Sequence, residues 1–381
     1  MEPLTSHLGG KQKAMIAFLR AMVECESPSD DRASVDRFVD LFAERVKDIA
    51  RVRTVKNAGF GRHLLCEFQL PGTRSKSAGQ ILALGHSDTV WPLGTLRTMP
   101  WKQEKGRLWG PGVFDMKGGL ALFVFAMRAL RELDRPVARK VILQINSDEE
   151  VGSPTSRALT EAQAKLSEAV LVLEPAMGLD GKLKTARKGV GDYTVRVEGV
   201  AAHAGLDFEK GASAIVELAR QIERIAEFTD TKKGITVNPG VIRGGTRGNV
   251  IADHAEVEVD IRLPRAGAFA ALDRKFRALK AIDKRCRVTV EGGLNRPPFE
   301  RTAGTARLLR LAQKLGVELG LNVGEASAGG GSDGNFTSGL GIATLDGLGA
   351  VGEGAHASHE SVLIDSLVPR AALLARLVEA L

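Results

Sequence analysis

Residues 140–153 read KVILQINSDEEVGS. A strongly apolar run, VILQI, ends in three consecutive acids, Asp148, Glu149 and Glu150. Neighbouring carboxylates repel one another, and burial penalises each charge. Either water solvates these acids at the surface or a cation compensates them in a site. The same pattern lies on both sides. QILALGHSD (80–88) is a buried strand ending in His86 and Asp88, and EAVLVLEP (168–175) is another ending in Glu174. Between them GGLALFVFAMRALREL (118–133) is apolar nearly all round, as suits a helix inside an α/β layer. Strands alternating with helices up to about residue 188 predict a mixed, mostly parallel sheet, the α/β class. SVDRFVDLFAERVKDI (34–49) adds a helix, with Val35, Phe38, Val39, Phe42, Val46 and Ile49 at helical spacing.

Beyond KGVGDYTVRVEG the pattern changes. Strand (192–199), helix (211–227), strands (235–242 and 249–263), helix (266–280) and strand (286–291) follow in order. In HAEVEVDIRL, Ala255, Val257, Val259 and Ile261 take one face while His254, Glu256, Glu258, Asp260 and Arg262 take the other. That is an antiparallel strand buried on one side. The order βαββαβ is ferredoxin-like. After NRPPF (295–299) come a helix at 303–319, an apolar run at 342–346 and a helix at 363–380. The expected organisation is a larger domain at 1–188 and 299–381, with a smaller domain inserted at 189–298.

The chain has 381 residues, too many for one ordinary core, with 44% hydrophobic and 26% charged residues. No apolar stretch reaches the roughly 20 residues that span a bilayer, and MEPLTSHLGGKQKAM lacks the order of a signal peptide. Cys25, Cys66 and Cys286 are odd in number and fit no CxxC spacing, as in a reducing compartment. A cytoplasmic protein is expected. The formal charge of +7 comes from scattered Lys and Arg with a single Tyr, a pattern that argues against nucleic acid and fits small anionic ligands. His7, His63 and His254 read as surface histidines, and Asp148 as a solvated or hydrogen-bonded loop acid.

Ligands of open α/β sheets bind outside the carboxyl ends of strands. His86, Glu149, Glu150 and Glu174 leave such ends, and Asp115 lies in the glycine-rich turn WGPGVFDMKGG. Histidine with carboxylates is the donor set of zinc or a similar divalent metal. In an extended H-x-D, residues i and i+2 share a face, so Asp88 can orient the His86 imidazole.

GHSDTV, GPGVFDMKGG, NSDEEVGS, LVLEP, AAHAG and GAHASHESV stand in the order seen in the co-catalytic zinc peptidases and deacylases. The chain resembles that family over about residues 12–380, and within it most resembles the bacterial glutamate carboxypeptidases. The resemblance implies two zinc ions per subunit sharing Asp115, one also held by His86 and Glu174, the other by Glu150 and a histidine near the C-terminus. His356 and His359 both offer themselves; family members show histidine, three residues, then glutamate, which favours His356 followed by Glu360. It further implies a cis peptide before Met116, and Glu149 as general base on the zinc-bridging water. His203 would reach across a homodimer formed through the inserted domain and stabilise the oxyanion. Arg262 and Asn249 match residues that hold a substrate carboxylate, for which a planar guanidinium is suited. The loop GGGSDG, with Gly330 and Ser332, matches a substrate-carboxylate loop whose amides make an anion nest. Lys182 and Arg296 match further basic residues, and Lys184 and Lys188 add charge of their own.

The implied activity is release of a C-terminal amino acid, glutamate among the candidates, from a small peptide or N-acyl amino acid with a free carboxylate. An N-acyl-amino-acid deacylase with the same mechanism is the nearest alternative. An inactive dimeric binding protein is the alternative from another class, against which every expected ligand type is present. GHSDT lacks the second glycine of a nucleophile elbow, and neither GPGVFDMKGG nor RGGTRGN completes a phosphate loop.

Overall fold

The computed structural model describes residues 3–72 and 79–381. Contacts divide the chain into two compact units. One is formed by the chain up to Ala186 with Arg301–Ala328 and Ser332–Leu381, the other by Arg187–Glu300 with Gly329–Gly331.

The first unit is built on a six-stranded sheet in the order Ala50–Val55, His63–Phe68, Lys140–Asn146, Gln80–His86, Ser167–Val172, Thr344–Leu345. The first two junctions are antiparallel and the other three parallel. Every residue of Gln80–His86 is buried, as expected of a parallel strand covered on both faces. Register then fixes the site. His86 pairs with Asn146 and Leu84 with Val172, so the chain leaves three neighbouring strands at the same end of the sheet. The residues that follow are Ser87–Asp88, Ser147–Glu150 and Leu173–Glu174.

Helix Gly118–Glu132 packs against helices Pro3–Glu24 and Ile364–Ala380. Its start lies so close to the sheet that a Cβ on Gly119 would overlap the Leu173 carbonyl oxygen. The glycine pair after Asp115-Met116-Lys117 thus lets the turn carrying Asp115 approach the strand end carrying Glu174. A small antiparallel sheet, Gly352–Glu353, Ser361–Leu363, Arg107–Trp109 and Lys102–Glu104, supports the loop that bears His356.

In the second unit, four antiparallel strands run in the order Thr236–Gly244, His254–Leu263, Gly189–Glu198, Arg287–Arg296. With helices Ala214–Ala226 and Phe269–Arg277 this is a ferredoxin-like βαββαβ arrangement. Ala255, Val257, Val259 and Ile261 are buried, as their alternation predicts. Tyr193 stacks on Phe276 with ring centroids 3.8 Å apart. The strand expected from 249 begins only at His254, because the glycine-rich stretch before it forms a turn. The helix expected over 266–280 is a short 3-10 turn at Ala266–Ala268 followed by Phe269–Arg277.

The expectation for His63 is overturned. His63 is 1% exposed and not a surface histidine. Its Nδ1 accepts from the Ser147 amide (3.2 Å), which places the ring proton on Nε2, toward Thr155 Oγ1 (3.1 Å). Burial pulls its pKa below the usual value, against the pull of Asp148. Its position on an antiparallel strand gives no sign of this, because what covers it is the turn at 147–155.

Candidate metal centre

Six of the residues singled out in the sequence meet in the first unit. His86 Nε2 lies 3.3 Å from Asp115 Oδ1 and 3.4 Å from Glu174 Oε1. His356 Nε2 lies 3.4 Å from Asp115 Oδ2 and 3.3 Å from Glu150 Oε2. Asp115 therefore turns one oxygen to each histidine. Zinc–ligand bonds of about 2.0–2.1 Å in a tetrahedron put neighbouring ligand atoms about 3.3–3.4 Å apart, so each of these four histidine–carboxylate pairs has the spacing of two donors on one small cation. Glu150 Oε1 adds a second sign: it is buried and has no hydrogen-bond partner among the described residues. Glu149 groups with His86 and Glu174, each offering an oxygen or nitrogen within 4.8 Å of the others. The donor set fits a pair of divalent ions.

The electrostatics agree with the crowding. Burial raises the Glu150 pKa. Burial would depress His86, but Asp115, Asp88 and Glu174 outweigh it and hold the imidazole well above its usual value. Asp115 and Glu150 push His356 up to about 10. Burial also acts to raise Asp115, yet His356 and His86 bring it well below the carboxylate range.

The surrounding turns are fixed by other acids. Asp88 Oδ1 accepts from the Glu149 amide (3.2 Å), and Oδ2 from the Glu150 amide (3.1 Å) and Ser29 Oγ (2.8 Å). The nearest partner of His86 Nδ1 is the Asp88 carbonyl oxygen at 2.9 Å, with carboxylate Oδ1 at 3.5 Å. Asp88 thus holds the tandem acids as well as the ring. Asp148, fully buried, accepts from the Thr155 amide (2.7 Å), Thr155 Oγ1 (2.6 Å) and the Ser156 amide (3.2 Å). Glu360, also fully buried, takes four N–H groups: Phe114 and Asp115 amides on Oε1 (2.8 and 3.0 Å), and the Gly112 amide and Trp91 Nε1 on Oε2 (2.9 and 2.8 Å). Burial pushes this carboxyl up to about 7 even against the pull of those donors.

The peptide between Asp115 and Met116 is cis. His359 lines a separate cavity of about 370 Å³ with Trp91 and Trp109, while His356 faces Asp115 and Glu150. Asp333, unremarked in the sequence reading, lines a small cavity with His86, Glu149 and Glu174 and bonds to Asn146 and Ser153. Only its place in a glycine-rich loop, GGGSDG, hinted at it. Ser332 differs from expectation: it is fully buried, its hydroxyl donates to Asp346 Oδ2 (2.7 Å) and its amide to Asn335 Oδ1 (2.9 Å). Both donors are spent inside the fold, so Ser332 shapes the loop. Lys184 and Arg296 are buried as well.

His203, Asn249, Arg262 and Gly330 belong to the second unit. His203 Nδ1 accepts from the amides of Gly205 and Leu206, both at 3.1 Å, so the neutral ring carries its proton on exposed Nε2 and is a donor there. Arg262 directs Nε and Nη2 at the Asp260 carboxylate (2.9 and 2.8 Å). The Asn249 carbonyl accepts from the Ala204 amide, and the Gly330 carbonyl from Arg187 Nη1 (3.1 Å).

Residues 82–380 match the model of peptidase family M20/M25/M40. Carboxypeptidase G2 of Pseudomonas sp. (strain RS-16) is 28% identical over 368 residues, covering 94% of this chain and 87% of that protein. The fold superposes on aminopeptidase PepT from Bacillus cereus with a TM-score of 0.77, 24% identity and coverage of 97% and 98% of the two chains. An M20 family metallo-carboxypeptidase from Sulfolobus solfataricus gives 0.76 at 17% identity, covering 96% and 99%. With a metal-type donor set at the strand ends and a family match over most of its length, the chain belongs to peptidase family M20/M25/M40 and is a hydrolase of the metallopeptidase type.

Proposed function

We propose that the protein is a zinc-dependent carboxypeptidase that releases a C-terminal amino acid, glutamate among the candidates, from a small peptide or N-acyl amino acid. The observation that carries this reading is the division of Asp115, one carboxylate oxygen at 3.3 Å from His86 and the other at 3.4 Å from His356. His86, Asp115 and Glu174 would hold one zinc, and Asp115, Glu150 and His356 the other. Bound there, the ions supply Lewis acidity that polarises the scissile carbonyl and lowers the pKa of water.

The chain's own residues do the rest. Glu149 takes the proton of the attacking water and returns it to the leaving nitrogen. Asp88 keeps Glu149 and Glu150 in place through their amides. Nε2–H of His203 donates to the carbonyl oxygen as negative charge develops on it. Arg262 and Asn249, with the amide of Gly330, bind the substrate carboxylate. A homodimer through the second unit accords with exposed apolar side chains on its edge strand (Val241, Ile242) and at the start of a helix (Ile215, Val216). Among the described residues no helix is long and apolar enough to cross a membrane; a cytoplasmic location belongs to this proposal.

Metal content per chain, measured on wild type and Glu150→Ala after incubation with zinc and desalting, tests the centre. Two zinc ions in wild type and fewer in the variant are expected; no retained metal in either overturns it. A panel of dipeptides and N-acyl amino acids, each with a free or amidated C-terminus, then tests the substrate. Loss of turnover on amidation supports a carboxylate pocket. Turnover of acetyl and succinyl amino acids with no action on dipeptides moves the reading to a deacylase.

A further inference from the structure

Glu360 joins three segments that are far apart in sequence. Its own backbone closes the turn bearing His356, since the Ala357 amide donates to the Gly354 carbonyl and the Glu360 amide to the Ala357 carbonyl, both at 2.9 Å. Its carboxylate receives Gly112, Phe114 and Asp115 from the turn bearing the shared acid, and the Trp91 indole from the loop after the first strand end. All four neighbours are donors. Both oxygens are thus engaged as acceptors of N–H groups. Backbone amides converging on an anion form a nest, and here the anion is a side chain of the same chain. His356 itself has φ of 61°, a left-handed conformation that non-glycine residues adopt only where surrounding contacts impose it.

We propose that Glu360 is a positioning residue that preforms the metal centre: its carboxylate fixes the Asp115 turn and the His356 turn to each other before any ion arrives. Asp115 and His356 then contribute to one cation as a rigid pair. The Trp91 indole completes the set of donors from outside. This inference rests on the metal-hydrolase reading, but its first test does not.

Hydrogen exchange of the metal-free wild type, read at single-residue resolution by mass spectrometry, should show the amides of Gly112, Phe114 and Asp115 exchanging at least 100-fold more slowly than unstructured chain. Rapid exchange there overturns the proposal, because the turn would then be ordered by metal. Glu360→Gln replaces one acceptor oxygen by a donor at unchanged size. It should release those amides, weaken binding of the second ion at least tenfold, and alter the visible absorption of the cobalt-loaded protein. Unchanged exchange, affinity and cobalt spectrum in Glu360→Gln overturn it equally. If that variant does not fold, exchange in the wild type decides alone. A wild type that binds no metal yet protects these amides would sink the proposed function while sparing the clamp.

Discussion

Asp88→Asn tests whether the H-x-D aspartate serves the tandem acids or the imidazole. The wild-type carboxylate accepts the amides of Glu149 and Glu150 on different oxygens, with Ser29 Oγ sharing Oδ2. Asparagine offers one oxygen. Its NH2 group can turn toward Ser29, which can accept, but then it faces the Glu150 amide, which cannot. At least one buried backbone N–H loses its partner, at a cost of about 1–3 kcal/mol. Expressed wholly as displacement of Glu149 and Glu150, that is a fall of about 5- to 150-fold in kcat/KM. Asp88→Ala removes both acceptors and should do worse, whereas Ser29→Ala keeps both amides bonded and should stay within about threefold. The assay is kcat/KM on the best substrate of the panel, with metal content and amide exchange at 149 and 150 measured on the same preparations. Asp88→Asn within twofold of wild type would refute the reasoning. Loss of metal with unchanged exchange at 149 and 150 would assign the carboxylate to the His86 ring instead.

Three further outcomes are expected. Glu217, 1% exposed, accepts from the amides of Ile282 and Asp283 and from Gln221; burial acts to raise its pKa, but these bonds leave it lowered. A carboxylate with a depressed folded pKa adds stability above its unfolded value of about 4.3 and loses it as pH falls through the folded value. Glu217→Gln should therefore be less stable than wild type at pH 7 in urea melts, with the deficit shrinking as the pH is brought below about 4; a deficit that grows in acid contradicts the assignment. Phe276→Ala removes the buried ring stacked on Tyr193 and should cost about 3–5 kcal/mol by denaturant unfolding. Gly205→Pro deletes one of two N–H groups on His203 Nδ1, and should lower kcat about tenfold, a fraction of what a whole oxyanion donor contributes. Gly205→Ala should not, because a Cβ there meets only His203 ring atoms at 3.6 and 3.7 Å; nitrogen NMR of the ring reports the tautomer directly.

The sheet and the strand-end acids were legible because both depend on local pattern, whereas Asp115 as the shared ligand and His356 entered the expected ligand set only through the family resemblance. Apolar runs ending in His86, Glu150 and Glu174 announce parallel strands and their carboxyl ends together, and the alternation of HAEVEVDIRL assigns one buried face. What the sequence hides is whatever a distant segment decides. Helix Pro3–Glu24 was not read, although Leu4, Leu8, Met15, Leu19 and Met22 recur at helical spacing, because GG at positions 9 and 10 interrupts the run; packing on helix Gly118–Glu132 restores it. His63 looks like any polar residue on an edge-proximal strand until the 147–155 turn closes over it. Glu360 showed only as the end of a spacing, His356 plus four, with no hint that its partners lie near residues 91 and 112–115. A side chain whose role is to accept backbone amides leaves no signature in the residues that donate, since every residue but proline has an N–H.

The acids of NSDEEVGS can now be separated by what satisfies them. Asp148 Oδ2 accepts from the amides of Thr155 and Ser156 and the Thr155 hydroxyl, while its Oδ1, like Glu150 Oε1, is buried without a hydrogen-bond partner among the described residues. Glu149 and Glu150 have their amides held by Asp88, and Glu150 keeps a buried oxygen without a partner among the described residues. Asp88 and Glu360 thus act as scaffolds whose bonds hold other acids in place, Glu149 and Glu150 by their amides and Asp115 by its own. Rigid geometry concentrates negative charge, and a cation is what relieves it. Metal removal should therefore cost stability as well as activity. At free metal 1,000 times its dissociation constant, binding adds about 4 kcal/mol for one ion. For a unit of this size that corresponds to roughly 8–16 °C in melting temperature. Scanning calorimetry of zinc-loaded and chelator-treated protein measures it. Equal melting temperatures would mean that the acids are satisfied without a cation, and the 3.3–3.4 Å spacing of the four histidine–carboxylate pairs would then reflect hydrogen bonding to protonated histidines alone.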